Sequence, residues 1–554
     1  MAVKLLNTIE LEPLPADAEQ FTVRTRDGVS LATDVYLPAN PGKLPAVLVR
    51  TCYDKASDYT GLKYIAPLFV ENGYAFVTQD VRGKARSDGE TDAYVYEMLD
   101  AYDTLDWIVD QSWSDGSVGL TGASYYGFTA WAGVASGHSS IRAAVPMVTG
   151  VDMAADHVAS RWQQDPPNLV GLNDLVQIWT NRESYLFDID YAAASITSLL
   201  EQVEAMIGKS TSVEGLLRRA RTGEYYQPYG TRHPHHTTNV PILHWVNWYD
   251  PGLAPAGMRD WRHFRSLPST RHLHYLRAGS ADHASVRLED VENGIKGIDT
   301  ISDDLWTEIL LGEIGDQLAF FDEHLRGNVP ATPTARARWH VGHSGWRSSD
   351  EWTPEEVVPH RLYLTASGNG GGLAPSADAQ SRELQWTHDP NNPVPSSTSI
   401  EAIWYFLAEY PDERALKDRG DVLTFTGDAL AAPLTIAGQI VLSGEFGSSS
   451  DTSHVFVTVQ DVKPDGTTRP VAMGMCYART GASEPLRLAL SDVAYEFRAG
   501  HRLQLQIRSS CFPWFLVHPG TDENPWFAAK AVSTTSTLRV GGSRPASLTL
   551  PTLP

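Results

Sequence analysis

Ser117-Val118-Gly119-Leu120-Thr121-Gly122 passes without a break into Ala123-Ser124-Tyr125-Tyr126-Gly127-Phe128-Thr129-Ala130-Trp131, and this junction decides the fold. The first six residues read as a strand and the run from Ala123 to Ser136 as a helix, with another strand at 143–150. Strands that alternate with helices predict a parallel sheet with right-handed crossovers. Upstream, Phe21 to Pro38 reads as a β-hairpin turning at Arg26-Asp27-Gly28. Pro45 to Tyr53 is a short apolar run of the kind buried on both faces of a sheet. A helical pattern to Asn72, a strand from Tyr74 to Gly83, and a helix through Tyr96, Leu99, Tyr102, Leu105 and Ile108 with an acidic back continue the alternation.

Downstream the pattern changes twice. From about Val151 to Asn239 the strand signal disappears and amphipathic helices take over, which predicts a helical cap over the C-terminal edge of the sheet. Strands resume at Val240 to Asp250 and His272 to Gly279, and a long helix ends near Gly327. Beyond about Trp346, short alternating segments separated by Gly, Pro, Asp and Ser turns predict an all-β sandwich of the jelly-roll kind. The expected fold class is therefore α/β, with a core at 1–150 and 240–345, a cap at 151–239 and a jelly roll at 346–554.

Composition supports a multidomain globular chain. The 554 residues exceed what one core holds, about 100–200 residues. The net charge is −23, from Asp+Glu 67 against Lys+Arg 44. That field repels nucleic acid and anionic membrane surfaces, and no basic run offsets it. The three cysteines form neither a disulfide framework nor a zinc spacing. The N-terminus lacks a secretory pattern and no apolar run is long enough for a span, so a cytoplasmic location is expected. Homodimerisation is left open.

The junction also carries chemistry. Gly122-Ala123-Ser124-Tyr125-Tyr126-Gly127 resembles the glycine-flanked serine of a nucleophile elbow, with one extra residue before the last glycine. Small neighbours suit a strained strand-to-helix turn, and the helix start aims its positive end at a developing oxyanion. The competing explanation is a serine that merely caps a helix. Partners follow in the order acid then histidine: Asp250 ends a strand before Pro251-Gly252, and His283 comes shortly after another. A carboxylate would hold the imidazole tautomer while the imidazole takes the serine proton.

These motifs, with Tyr53-Asp54-Lys55, Gln79-Asp80-Val81-Arg82-Gly83, Ser87-Asp88-Gly89-Glu90, Trp248-Tyr249-Asp250, residues 321–327 and residues 498–503, run in order along nearly the whole chain. On them the chain resembles the α/β-hydrolase family that includes cocaine esterase, α-amino-acid ester hydrolases, glutaryl acylases and X-Pro dipeptidyl peptidases. The resemblance implies a core, a helical cap and a C-terminal jelly roll, and an oxyanion hole made by the Tyr53 phenol and the Tyr125 backbone N–H. Two departures stand out. The loop Gly279-Ser280-Ala281-Asp282-His283 lacks the bulky residue relatives carry before the histidine, which implies a wider or reshaped pocket. Pro251, Gly252 and Leu253 replace the carboxylates that recognise a substrate ammonium, which argues against amino-ester and aminopeptidase-like cleavage.

Trp162, Trp179 and Trp404 are candidate walls of an acyl pocket, although aromatic residues more often belong to a core. His233, His235 and His236 lack a carboxylate pattern, so neither metal nor cofactor is expected. The expected activity is cleavage of a small carboxylic ester through an acyl-enzyme. Amide cleavage by an acylase or peptidase, acyl transfer, and a carbohydrate-binding protein with an inactive core are the alternatives.

Overall fold

The computed structural model describes residues 2–158, 165–193, 195–328, 334–368, 370–481 and 485–554. In chain order its first part comprises β1 (Val3–Ile9), β2 (Glu19–Arg24), β3 (Ser30–Tyr36), β4 (Leu44–Thr51), α1 (Leu62–Glu71), β5 (Ala75–Asp80), α2 (Glu97–Val109), β6 (Ser114–Ala123), α3 (Ser124–Ser136) and β7 (Ile141–Met147). The middle adds α4 (Leu169–Ile178), β8 (Ser184–Ile189), α5 (Ile196–Ile207), α6 (Thr211–Thr222) and α7 (Pro234–Thr237). Next come β9 (Ile242–Asn247), α8 (Ala254–Ser266), β10 (His274–Gly279), α9 (Leu288–Glu292), α10 (Asp303–Leu325), β11 (Ala337–Val341) and β12 (Gly345–Ser349).

The apolar runs form a ten-strand sheet in the order β12-β11-β10-β9-β7-β6-β4-β5-β3-β2. Pairing is parallel from β11 through to β5 and antiparallel at both edges. Successive side chains point to opposite faces of a strand. In β4, Ala46 and Leu48 pack with Leu105 of α2 and Phe128 of α3, while Val47 and Val49 pack with Phe69 of α1 and Phe321 of α10. Two hydrophobic layers therefore clamp the sheet, as a strand apolar on both faces requires. Past α10 and β12, the chain from Val358 to Thr552 is a system of eleven strands, mostly antiparallel.

One expectation needs correction. The middle stretch is not purely helical, because β8 pairs antiparallel with β1 in a small sheet of their own. The alternation of β8, with Tyr185 and Phe187 buried and Leu186 exposed, is short and easily lost among helices. The acidic back of α2 is buried at its start. Glu97 and Asp100 are buried, where Arg50 donates to the Glu97 carbonyl at 2.7 Å and Arg82 pairs with Asp100 at 2.6 Å. Arg50 of β4 and Arg82, just after β5, supply the cationic partners that let these carboxylates be buried.

The same device fixes the loop after β4. Lys55 is 1% exposed, with its ammonium 3.0 Å from Asp34 and its backbone N–H 2.8 Å from Asp80. Burial pushes the Asp80 carboxyl up to about 7, with Lys55 pulling against the shift, and raises Asp34 in the same way. Lys84 holds the middle part down, donating to the Asn181 carbonyl at 2.9 Å and to that of Ile178.

Lys55→Met should remove about 3–5 kcal/mol of stability, because it strands two buried carboxylates. Without the ammonium, both folded-state pKa values rise further above the ordinary carboxylate value. The loss is then full above those folded pKa values and shrinks as pH falls toward the unfolded one. Urea unfolding at pH 8 and pH 5 should show the larger deficit at pH 8; equal deficits would contradict the buried cluster.

Candidate active site

The C-terminal ends of β4, β6, β9 and β10 lie along one edge of the parallel sheet, and each is followed by a residue singled out in the sequence. Tyr53 follows β4, Ser124 follows β6, Asp250 follows β9 and His283 follows β10. Ser124 has φ +57°, a left-handed conformation that a non-glycine residue adopts only under constraint. The constraint is local packing. A Cβ on Gly122, at φ +152°, would stand 2.5 Å from the Tyr126 carbonyl oxygen, and one on Gly127 would stand 2.8 Å from the carbonyls of Gly122 and Met147. The glycine one place later than in the usual elbow therefore still serves the turn, because it faces back onto Gly122.

Asp250 is fully buried, and its Oδ2 lies 2.7 Å from Nδ1 of His283. Its Oδ1 accepts the Leu253 N–H at 3.0 Å, which fixes the carboxylate plane. Burial opposes a charged imidazole at His283. The Asp250 charge and hydrogen bond, with Asp282 and Asp174 adding to them, raise its pKa overall. The remaining ring nitrogen is the one available to a nucleophile.

Tyr53 packs edge-on to Tyr126 and Tyr125, with ring centroids 6.1 and 6.5 Å away. Burial pushes its phenol pKa well above the ordinary value, so the hydroxyl keeps its proton and remains a donor. Tyr125 presents its backbone at the start of α3, while its phenol bonds Glu97 in the core. Burial pushes the Glu97 carboxyl up to about 7, against the pull of that phenol.

Of the expected pocket walls, Trp179 is 3% exposed and stands behind the turn, 4.7 Å from the Tyr125 ring. Trp404 lies on the histidine itself, ring centroids 4.5 Å apart. The wall that Gly279–His283 lacks is thus supplied by a residue far along the chain. Trp162 lies outside the described residues. A cavity of about 270 Å³ opens beside the acid, lined in part by Pro251, Gly252, Ile403, Phe406 and Trp514; its lining leaves out Ser124, Tyr53 and His283.

Sequence reasoning missed Asp282 and Glu97, two buried carboxylates within this assembly. For Asp282 the available signal was an acid directly before the candidate histidine. The histidines at 233–236 do meet carboxylates, contrary to expectation: Asp152, His233 and His235 place ligand-type atoms within 4.8 Å of one another. Hydrogen bonds account for them. His233 accepts the His235 N–H on Nδ1 at 3.3 Å, and its Nε2 lies 2.9 Å from an Asp152 oxygen. His235 pairs with Asp260, also at 2.9 Å.

Residues 27–285 match a family model described as X-Pro dipeptidyl-peptidase (S15 family), and 328–549 match its C-terminal non-catalytic domain. The cocaine esterase of Rhodococcus sp. (strain MB1 Bresler) is 28% identical over 547 residues, covering 90% of this chain and 91% of that protein. An α-amino acid ester hydrolase superposes with a TM-score of 0.79 at 22% identity, over 98% of each chain. An aminopeptidase from a Thaumarchaeota archaeon gives 0.77 at 21%, over 99% and 98%. The fold is accordingly an α/β-hydrolase core with a separate all-β C-terminal domain. No helix among the described residues is long and apolar enough to cross a membrane.

Gly122→Ala should cost at least about 1–3 kcal/mol, since a side chain there meets both an unfavourable φ and a carbonyl oxygen. An unchanged urea midpoint would contradict the packing assigned to the turn.

Proposed function

We propose that the chain, a member of the S15 family of α/β-hydrolases with the cocaine esterase among its relatives, is a serine hydrolase cleaving carboxylic esters by a two-step acyl-enzyme mechanism. Ser124 attacks the carbonyl, and His283 takes the serine proton and passes it to the leaving alcohol. Asp250 holds the imidazole tautomer and stabilises its charged form. The Tyr53 hydroxyl and the Tyr125 N–H bind the oxyanion. Water then releases the acid, with the same histidine acting as base, so no cofactor is required. The observation that carries this reading is the 2.7 Å Asp250–His283 contact at the sheet edge where Ser124 stands in a strained turn.

The same proposal divides the chain into a catalytic core (1–150 and 240–345), a cap (151–239) and a jelly roll (346–554). It assigns Trp179 and Trp404 to the neighbourhood of the acyl group. The unpaired cysteines accord with a reducing, cytoplasmic compartment. Pro251-Gly252-Leu253 directly after the acid supplies no charge for a substrate ammonium, which favours esters without a free α-amino group over peptides. Matched p-nitrophenyl esters and p-nitroanilides decide this. Faster turnover of the esters by orders of magnitude is expected, and anilide turnover of equal rate would move the assignment to amide chemistry.

Asp250→Asn should lower kcat by about 10⁴-fold in a folded protein, because the amide favours the wrong imidazole tautomer. Tyr53→Phe should lower kcat by about 10²–10³-fold with little change in KM, the effect of one lost oxyanion donor. A Tyr53→Phe enzyme of full activity would remove the phenol from the mechanism. The pH profile carries a further expectation. His283 must be neutral to accept the proton, and its pKa is raised, so kcat/KM should fall on the acid side with a midpoint above the ordinary histidine value of about 6.5. A midpoint below that value would contradict the Asp250 pairing.

A further inference from the structure

One segment of the C-terminal domain, 401–410, crosses to the histidine loop and is bonded there through its backbone. The Leu407 N–H, in the short helix Phe406–Glu409, donates to Oδ2 of Asp282 at 2.9 Å. The Ala284 N–H donates to the Trp404 carbonyl at 3.1 Å, and the Gly297 N–H to the Ala408 carbonyl at 2.8 Å. Asp282 itself is fully buried. Its Oδ1 accepts the Val286 N–H at 3.0 Å, closing the histidine loop, and its carbonyl accepts the Asn247 side-chain amide at 2.8 Å. One carboxylate therefore joins the histidine loop to a segment more than a hundred residues away.

We propose that Asp282 is a positioning residue, whose carboxylate latches 404–407 onto the histidine loop and so seats the Trp404 ring against the His283 imidazole. The proposal rests on the reading of Ser124, Asp250 and His283 given above. A charged group costs free energy to bury, and a loop can be closed by a neutral side chain. What aspartate provides is two acceptor oxygens, each answering an N–H from a different segment. Asparagine would offer one acceptor and turn an –NH₂ toward the other N–H. The imidazole is then held at Nδ1 by Asp250 and on its face by Trp404, which leaves little rotation about the bond that aims its other nitrogen. The indole of Trp404 also lies against Gly252, where an added Cβ would stand 3.2 Å from it.

The test uses the full-length chain as wild type, Asp282→Asn, Trp404→Ala and the double variant. Two readouts are taken: the rate at which a fluorophosphonate probe phosphonylates Ser124, and kcat and KM on p-nitrophenyl butyrate. Each single variant should slow labelling and kcat by about tenfold with KM within about threefold, as misaligned catalytic groups do. The double variant should be no more than about threefold slower than the slower single, because both changes break the same latch. Labelling of Asp282→Asn at the wild-type rate would overturn the proposal, as would effects that multiply to about a hundredfold. If Asp282→Asn fails to fold, Trp404→Ala decides alone, and a wild-type rate in it sinks the latch. An unlabelled wild type would instead refute the serine-hydrolase reading itself, so the two failures remain distinct.

Discussion

A carboxylate and an imidazole 33 residues apart in the chain lie 2.7 Å from each other, and most of the architecture is what that contact demands. It requires β9 and β10 to be neighbours, parallel, and level at their C-terminal ends. The pairing of Ile242–Asn247 with His274–Gly279 meets this, and it continues past the strands, with the Trp248 N–H bonding the Gly279 carbonyl and the Tyr249 N–H bonding that of Ala281. The carboxylate and the imidazole thus stand on two loops stitched to each other. A parallel sheet is buried on both faces, so the helical layers on either side belong to the same requirement.

Burial of charge is the second theme. Asp34, Asp80, Glu97 and Asp282 all have pKa values raised by burial. Each answers a donor that something in the site needs held: the Tyr53 loop through Lys55, the Tyr125 phenol, or the Leu407 amide. These groups contribute little net stability as ion pairs or hydrogen bonds, since desolvation opposes the gain. Their effect is geometric. A side chain whose only satisfied arrangement is one arrangement stays there, and catalysis of the acyl-transfer kind depends on groups placed before the reaction starts.

The core was legible because its signals are local. A strand that ends in small residues and passes into a helix identifies the Ser124 turn, and a strand stopped by Pro251-Gly252 identifies the place of Asp250. The all-β character after Trp346 follows equally from alternation and turn residues. What escaped were matters of long-range pairing. Nothing in Glu97 or Asp100 says that Arg50 and Arg82 will come to meet them, and periodicity assigns charge to solvent. Likewise β8 is recognisable only once β1, at the other end of the first domain, is seen beside it. Asp152 and His233, 81 residues apart, show the same limit in the opposite direction, since the carboxylate absent from the local pattern arrives from elsewhere.

The departure at Gly279–His283 shows how such long-range supply reshapes a site. Read locally, the loop has lost a wall and the pocket should widen. In three dimensions Trp404 covers the imidazole from a domain whose matching family model is named non-catalytic. An imidazole covered by an indole is less hydrated than one facing water, which opposes its charged form; the Asp250 charge and hydrogen bond outweigh that opposition and raise the His283 pKa. The C-terminal domain supplies no nucleophile, acid or base to the proposed triad, yet it places the Trp404 ring against the proposed base.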